Sequence, residues 1–255
     1  MIVRAAALLA LLVPASAGAS PARPVVALTA SPTHLTLAGR ERRAIRVANP
    51  GATAIVVSAA AAGFTLGRRG RPHVAGGASA GRVASWLAVR PRRVELAPGA
   101  AAELLLTVAP SRTASPGDHP ALVLLTTRAP PGAAVPVRMR VGVTVVVRVP
   151  GKVVHRLALS SLRVLKSTHG RVFRVVIANR GNVVEWLRRG RVEIALFAGR
   201  RRIAELRSNP RELLPGAASV FDLTYRGTVR RLTALVSLAG SRDGKTAVRR
   251  AFRVP

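Results

Sequence analysis

Apolar residues in this chain recur at every second position far more often than at helical spacing. The longest run is Val137 to Val149. Val137, Met139, Val141, Val143, Val145, Val147 and Val149 fall on one face, and Arg138, Arg140, Thr144 and Arg148 on the other. Successive side chains of an extended backbone point to opposite sides, so the pattern predicts a strand with one buried and one wet face. At ~3.3 Å per residue its 13 residues reach about 43 Å before Pro150-Gly151 stops them. Shorter runs predict strands at 25–30, 44–48, 54–60, 86–89, 102–108 and 121–127. Further runs follow at 157–165, 172–178, 192–197, 202–206, 219–225, 232–238 and 246–252. Ala198-Gly199-Arg200 reads as a hairpin turn between two of them. Pro and Gly recur too often for long helices. Gly67 to Gly81 has no alternation, is rich in Gly, Ala and Arg, and predicts a long mobile loop.

Two phrases are written twice. "VELAPGAAAELLLTV" (94–108) and "RELLPGAASVFDLTY" (211–225) share Glu-Leu-x-Pro-Gly-Ala-Ala and then Leu-Thr. "VANPG" (47–51) and "IANRG" (177–181) form a second pair, in the same order in each half. Asn tolerates left-handed backbone and Gly takes positive φ, so Asn-x-Gly predicts a tight reversal. Pro-Gly predicts a turn that feeds the next strand. About seven short strands per half, with turn signals between them, predict a sandwich. The expectation is therefore an all-β protein of two tandem immunoglobulin-like β-sandwich domains. The expected segments are a signal peptide at 1–19, a first sandwich at 24–150 and a second at 151–255.

The start of the chain changes the compartment. Arg4 precedes an apolar run, Ala5 to Val13, and Pro14 breaks it. Ala15-Ser16-Ala17 and Ala17-Gly18-Ala19 offer small residues at signal-peptidase spacing, so export is expected, with cleavage after Ala17 or Ala19. The run is too short to cross a bilayer, which takes roughly 20 apolar residues, and no transmembrane segment is expected in the mature chain. Cysteine is absent, so each core must stabilise itself by burial alone.

Charge adds a partner class. Lys and Arg number 41 against 10 Asp and Glu, for a net +31. Such a field attracts anionic surfaces, and outside the membrane these are wall polymers, lipid headgroups or acidic proteins. An exported protein seldom meets nucleic acid, so none is expected as a partner. Arginines spread along the chain also fit a compositional bias. The clustered ones are the anion-binding candidates: Arg68, Arg69 and Arg71; Arg90, Arg92 and Arg93; and Arg188, Arg189 and Arg191. Their planar guanidinium forks suit carboxylate and phosphate.

No constellation announces catalysis. Gly77 to Gly81 matches G-x-S-x-G, but a nucleophile elbow needs a strand before it and a helix after it, and the sequence shows no apolar strand on its near side. Asp118-His119 are neighbours in an extended segment and would face apart. The five histidines are scattered and have no thiols to help them hold a metal. Glu185 and Glu193 are separated by a basic turn, unlike a glycosidase pair. No catalytic, cofactor-binding or metal residues are expected, and the chain reads as non-enzymatic. Trp86 and Trp186 are each followed by Leu and are expected to pack in cores rather than to stack on sugars.

"RVANPG" (46–51) and "WLAVRPRRVELAPGAAAELLLTVAPSRTASPGDHPALVLL" (86–125) resemble the first domain of WxL-associated bacterial cell-surface proteins. The N-terminal domain of periplasmic pilus chaperones, another immunoglobulin-like sandwich, is similar. The resemblance covers roughly residues 24–150. The first family implies peptidoglycan binding by the first sandwich and attachment to a surface by the second. Its usual C-terminal anchor is not expected here, because the sequence given stops at Pro255 straight after a strand pattern. The leading expectation is an exported, extracellular or wall-associated envelope protein that binds anionic wall polymer or peptidoglycan, with another surface protein as a further partner. The alternative is a pilus-chaperone-like protein that lends the strand 137–149 to exported surface subunits.

Overall fold

The computed structural model describes residues 26–75, 78–128, 138–168, 170–229, 231–239 and 246–254. The expected signal segment and Val137 lie outside them. In chain order the first half contributes β1 (Thr29–Ser31), β2 (His34–Ala38), β3 (Glu41–Ala48), β4 (Ile55–Leu66), β5 (Pro72–Ala75), α1 (Ala78–Ala84), β6 (Leu87–Arg90), β7 (Arg93–Leu96), β8 (Ala101–Val108), β9 (Gly117–Arg128) and β10 (Arg140–Val149). The second half contributes β11 (Leu157–Ser167), β12 (Gly170–Asn179), β13 (Glu185–Leu187), β14 (Val192–Ala198), β15 (Arg201–Arg207), β16 (Arg211–Leu213), β17 (Ala218–Tyr225), β18 (Leu232–Ala239) and β19 (Thr246–Val254).

The protein is a pair of β-sandwiches. In the first, the sheet β1-β3-β8-β6 faces the sheet β2-β10-β9-β4-β5, and β7 also pairs with β4. In the second, β11-β12-β17 faces β15-β14-β18-β19, with the ribbon β13-β16 beside them. All pairings are antiparallel except β2 with β10. The two halves repeat one strand order. β1-β3-β8 matches β11-β12-β17, β10-β9-β4-β5 matches β19-β18-β14-β15, and β7 on β4 matches β16 on β13. The long β4 of the first half is thus split in the second by the turn that carries Arg188 to Arg191.

Burial follows the alternation. On β10, Val143, Val145 and Val147 join Ile45, Val47, Leu104, Leu106 and Leu125 in the first core. On β18, Leu232, Ala234, Val236 and Leu238 meet Phe173, Ile177, Ile194 and Phe221 in the second. Each such Val, Leu, Ile or Phe side chain contributes roughly 1.5–3 kcal/mol when fully buried.

The repeated phrases hold each other. Asn49 is 1% exposed, and its Nδ2 donates to Thr53 O, Leu96 O and Ala97 O at 2.8, 3.0 and 3.2 Å, while Oδ1 accepts from Gly51 N at 3.0 Å. Asn179, also 1% exposed, donates to Val183 O (2.7 Å) and Leu213 O (3.0 Å), and accepts from Gly181 N (2.9 Å). The backbones match too. Asn49 N bonds Ala100 O and Gly99 N bonds Asn49 O; Asn179 N bonds Ala217 O and Gly216 N bonds Asn179 O. In each half one phrase therefore brackets the other. This corrects the expected mechanism at Asn-x-Gly. Among the described residues no non-glycine has positive φ, and neither Gly51 nor Gly181 does. The side chain of Asn makes the turn, not a left-handed backbone. Gly181 is needed for a different reason, because a Cβ there would collide with Val154 O. The Pro-Gly turns do use positive φ, at Gly99 (76°) and Gly216 (72°).

The expected loop Gly67 to Gly81 holds β5 and the start of α1. The missing alternation reflects an edge strand that is exposed on both faces.

Candidate functional site

Two features stand out from the sandwiches: a partly free strand edge on β10 and the seam between the two halves.

On one side β10 is paired with β9 along its whole length, from Arg140↔Thr126 to Val149↔Gly117. On the other side β2 covers only Thr144 to Arg148. Thr144 N donates to Thr33 O at 2.9 Å, and Gly39 N donates to Arg148 O at 2.9 Å. Even-numbered residues of β10 therefore turn their backbone groups toward β2. By the same alternation, the N–H and C=O of Arg140 and Gly142 point outward beyond the end of β2, where, among the described residues, no strand pairs with them. Met139 and Val141 lie on the same face as Val143 and are only partly buried against the first core. Met139 is tied to the end of β9, with its N bonded to Thr127 Oγ1 at 2.9 Å.

The seam has an apolar centre. Phe64 and Leu122 of the first sandwich meet Leu214 of the second, with Leu66, Leu124, Val184 and Ala217 around them. Its polar lock is Asp118. This carboxylate is fully buried and receives a bidentate pair from Arg148 at 2.6 and 2.8 Å. Oδ2 also accepts from Val184 N at 2.8 Å, and Asp118 N donates to Asn182 O at 2.7 Å. The hydrogen bonds that the Arg148 guanidinium donates to Asp118, helped by the carboxylate's charge, hold it above its ordinary basicity. Asn182 Nδ2 spans Pro116 O and Lys152 O.

A second polar contact lies at β17. Val220 N and Ser219 Oγ donate to Arg68 O at 2.7 and 3.0 Å, and Arg69 sits 3.5 Å from Asp222. Asp222 also takes a bidentate pair from Arg174, at 2.7 and 3.0 Å. That hydrogen bonding, with the charges of Arg174, Arg69 and Arg211, holds the Asp222 carboxyl below its usual range. Glu212 is the opposite case. Burial pushes its carboxyl up, His34 of β2 pulls partly back, and Oε1 is buried without a hydrogen-bond partner.

The arginine clusters sit on separate elements. Arg68 joins the seam through its backbone carbonyl and Arg69 through its guanidinium, and Arg71 follows them in the same turn. Arg90, Arg92 and Arg93 lie where Arg92 O accepts from Ala59 N. Ala59 and Leu66 lie seven positions apart along β4, roughly 23 Å at ~3.3 Å per residue. Arg188 and Arg189 are exposed on the second sandwich. Arg191 is spent internally on Trp186 O and Ala239 O, and burial lowers its basicity.

Asp118 does lie in an extended segment, at the start of β9, but its place in the seam has no signal in the sequence. Nothing local marks a carboxylate whose partners lie 30 and 66 positions away. Trp186 departs from its expected core place and is 54% exposed, whereas Trp86 is half-buried against the first core. Of the G-x-S-x-G match, Ala78 to Gly81 lie in α1, Gly77 lies outside the described residues, and β5 ends before it at Ala75. That strand is a four-residue exposed edge rather than the central strand of a nucleophile elbow. Among the described residues, no three His, Asp or Glu side chains group as metal ligands.

No protein-family model and no curated protein matches the chain. Solved structures do. The class 5 fimbriae chaperone CfaA aligns with a TM-score of 0.50 at 13% identity, over 90% of this chain and 100% of its own. A chaperone–tip adhesin complex of CFA/I fimbriae aligns at 0.48 and 13%, over 83% and 94%. The CsuC–CsuE pre-assembly complex of Acinetobacter baumannii aligns at 0.47 and 14%, over 89% and 97%. At these identities the likeness to CfaA is one of fold: two β-sandwiches in tandem. WxL-associated proteins are not among these three.

Proposed function

We propose that this protein is an exported, non-enzymatic chaperone of surface-protein subunits, and that a client strand adds to the free edge of β10. The observation that carries the reading is the outward-facing backbone of Arg140 and Gly142 beside the partly buried Met139 and Val141. A strand laid along that edge gains main-chain hydrogen bonds, and the alternate apolar residues supply selectivity. The shared fold with CfaA, a fimbrial chaperone, supports the same reading.

The test separates edge from core. Val143 has no exposure, so Val143→Asp would break the sandwich and report nothing about a client. Arg140→Pro removes one outward N–H and leaves the β9 ladder intact, because proline is tolerated at strand edges. Val141→Asp places a charge on the partly exposed apolar face. Affinity capture from the envelope fraction should recover one dominant exported subunit with the native protein. Both variants should lose it at an unchanged Tm. Undiminished capture by Arg140→Pro would overturn the edge-pairing reading.

A second reading, adhesion to anionic wall polymer, is favoured by the exposed side chains of Arg188, Arg189, Arg92 and Arg93. It requires sedimentation with purified cell walls at low salt and release at high salt.

A further inference from the structure

We propose that the groove between α1 and the turn at residues 111–115 binds a saccharide ring, with Trp86 as its platform. The groove encloses about 540 Å³ and is lined by Arg82, Ser85, Trp86, Ser111, Thr113, Ser115 and His119 among others. That volume lies within the roughly 300–1,000 Å³ of small-ligand sites.

Three features fix the ligand class. The first is the platform. Trp86 packs against the first core on one side and lines the groove with the rest of its ring. His119 meets that ring edge-on, with centroids 5.0 Å apart and planes at 68°. The imidazole is itself held by its Nε2 contact to Ser115 O at 2.8 Å. The tryptophan is therefore buttressed in one orientation before any ligand arrives.

The second feature is the rim. Among the described residues it carries the hydroxyls of Ser85, Ser111, Thr113 and Ser115 beside Arg82, and no carboxylate. Ser111 Oγ and Thr113 Oγ1 lie 3.0 Å apart, and Ser85 Oγ donates to Arg82 O at 2.8 Å. Ser85 Oγ, with its proton given to Arg82 O, keeps acceptor capacity, while Ser111 Oγ already accepts from Thr113 N at 3.3 Å. An apolar plate inside a ring of hydroxyls matches the two sides of a sugar, a C–H face and a hydroxyl edge. A cation would find no carboxylate there.

The third feature excludes a peptide strand. The walls are a helix end, a turn and one residue of β9. The residue after it is Pro120, which has no N–H. No row of free backbone groups is offered, and β-addition needs one. The site is independent of the β10 edge.

The test uses the two tryptophans. Trp186→Phe leaves Trp86 as the only indole of the chain. Titration of this variant with cellotriose and, separately, with the N-acetylglucosamine trimer should give a saturable change in Trp86 emission with at least one sugar. The two arms separate plain from acetamido saccharides. Thr113→Val and His119→Ala should each weaken the response several-fold while leaving Tm within a few degrees. Calorimetry on Trp86→Phe should show a loss of up to about tenfold, in line with an aromatic stacking term of 0.5–1.5 kcal/mol. No saturable change with either sugar at about 10 mM, ten times a weak millimolar Kd, overturns the proposal. So does undiminished binding by Trp86→Phe, which would place the sugar elsewhere.

Discussion

Replacing Arg148 with Ala should destabilise the protein more than replacing Asp118, its partner. The two ends of the pair are unequally buried. The Asp118 side chain has no exposure, while that of Arg148 is 46% exposed. Without Arg148, a carboxylate is stranded inside the seam with Val184 N–H as its remaining side-chain partner. Removing one partner of a buried pair in this way costs about 3–5 kcal/mol. Without Asp118, the guanidinium can turn into water. What remains is the orphaned Val184 N–H and the lost charge-assisted pair, about 1–3 kcal/mol. The expected gap is about 2 kcal/mol, or roughly 4–8 °C in Tm for a chain of this size. The double variant strands no charge and should be more stable than Arg148→Ala alone. Urea denaturation followed by tryptophan emission reads both halves, because Trp86 and Trp186 sit in different sandwiches. Equal costs, the reverse order, or a double variant weaker than Arg148→Ala would refute the assignment of Asp118 as the buried member.

Asn49→Ala and Asn179→Ala should each cost about 2–4 kcal/mol, since each orphans buried backbone groups in the two phrases it joins; similar midpoint shifts in denaturant would support one shared bracket, and a silent Asn179→Ala would not. Asp222 is held below its ordinary value of 3.8, so its contribution is present above that pH and lost as pH falls through the lower folded value. Asp222→Asn should therefore flatten the acid limb of the stability curve and free Arg69 from the seam, as read by thermal melts from pH 5 to about pH 2. Glu212 is raised above its ordinary 4.5, so its folded form is favoured below that pH and the advantage fades as pH rises through the folded value. Glu212→Gln should accordingly raise Tm at pH 7 and leave it nearly unchanged at pH 4; a lower Tm at pH 7 would show that the ionised carboxylate is wanted there.

The strands that could be read were the long ones. β10, β12, β17 and β18 bury alternate residues over eight positions or more, and period two is unmistakable at that length. Of the short ones, β6 falls on the expected 86–89, but others show no pattern. β13 is Glu185-Trp186-Leu187, too brief to show a period, and β16 is equally short. β2 does alternate, but its partner is β10, more than a hundred residues on, and only that parallel pairing makes it a strand. The repeated phrases showed that each half follows one plan. They did not show that Asn49 reaches Leu96 or that Asn179 reaches Leu213, because a hydrogen bond across the sandwich leaves no local trace.

The basic residues carry little positional information, for a physical reason. With 41 cations against 10 carboxylates, a guanidinium is nearby almost anywhere, so the position of an arginine says little. A carboxylate is scarce, and its position is informative. Both described aspartates sit on the seam and hold the other half: Asp118 takes Val184 N–H, and Asp222 takes Arg69. In a chain with this imbalance the acids mark where structure is fixed by charge. The arginines left exposed, such as Arg188 and Arg189, are then available to an anionic partner without disturbing the fold. Charge reversal at those two positions should change wall adhesion and leave the midpoint of unfolding where it was, whereas reversal at Asp118 should do the opposite.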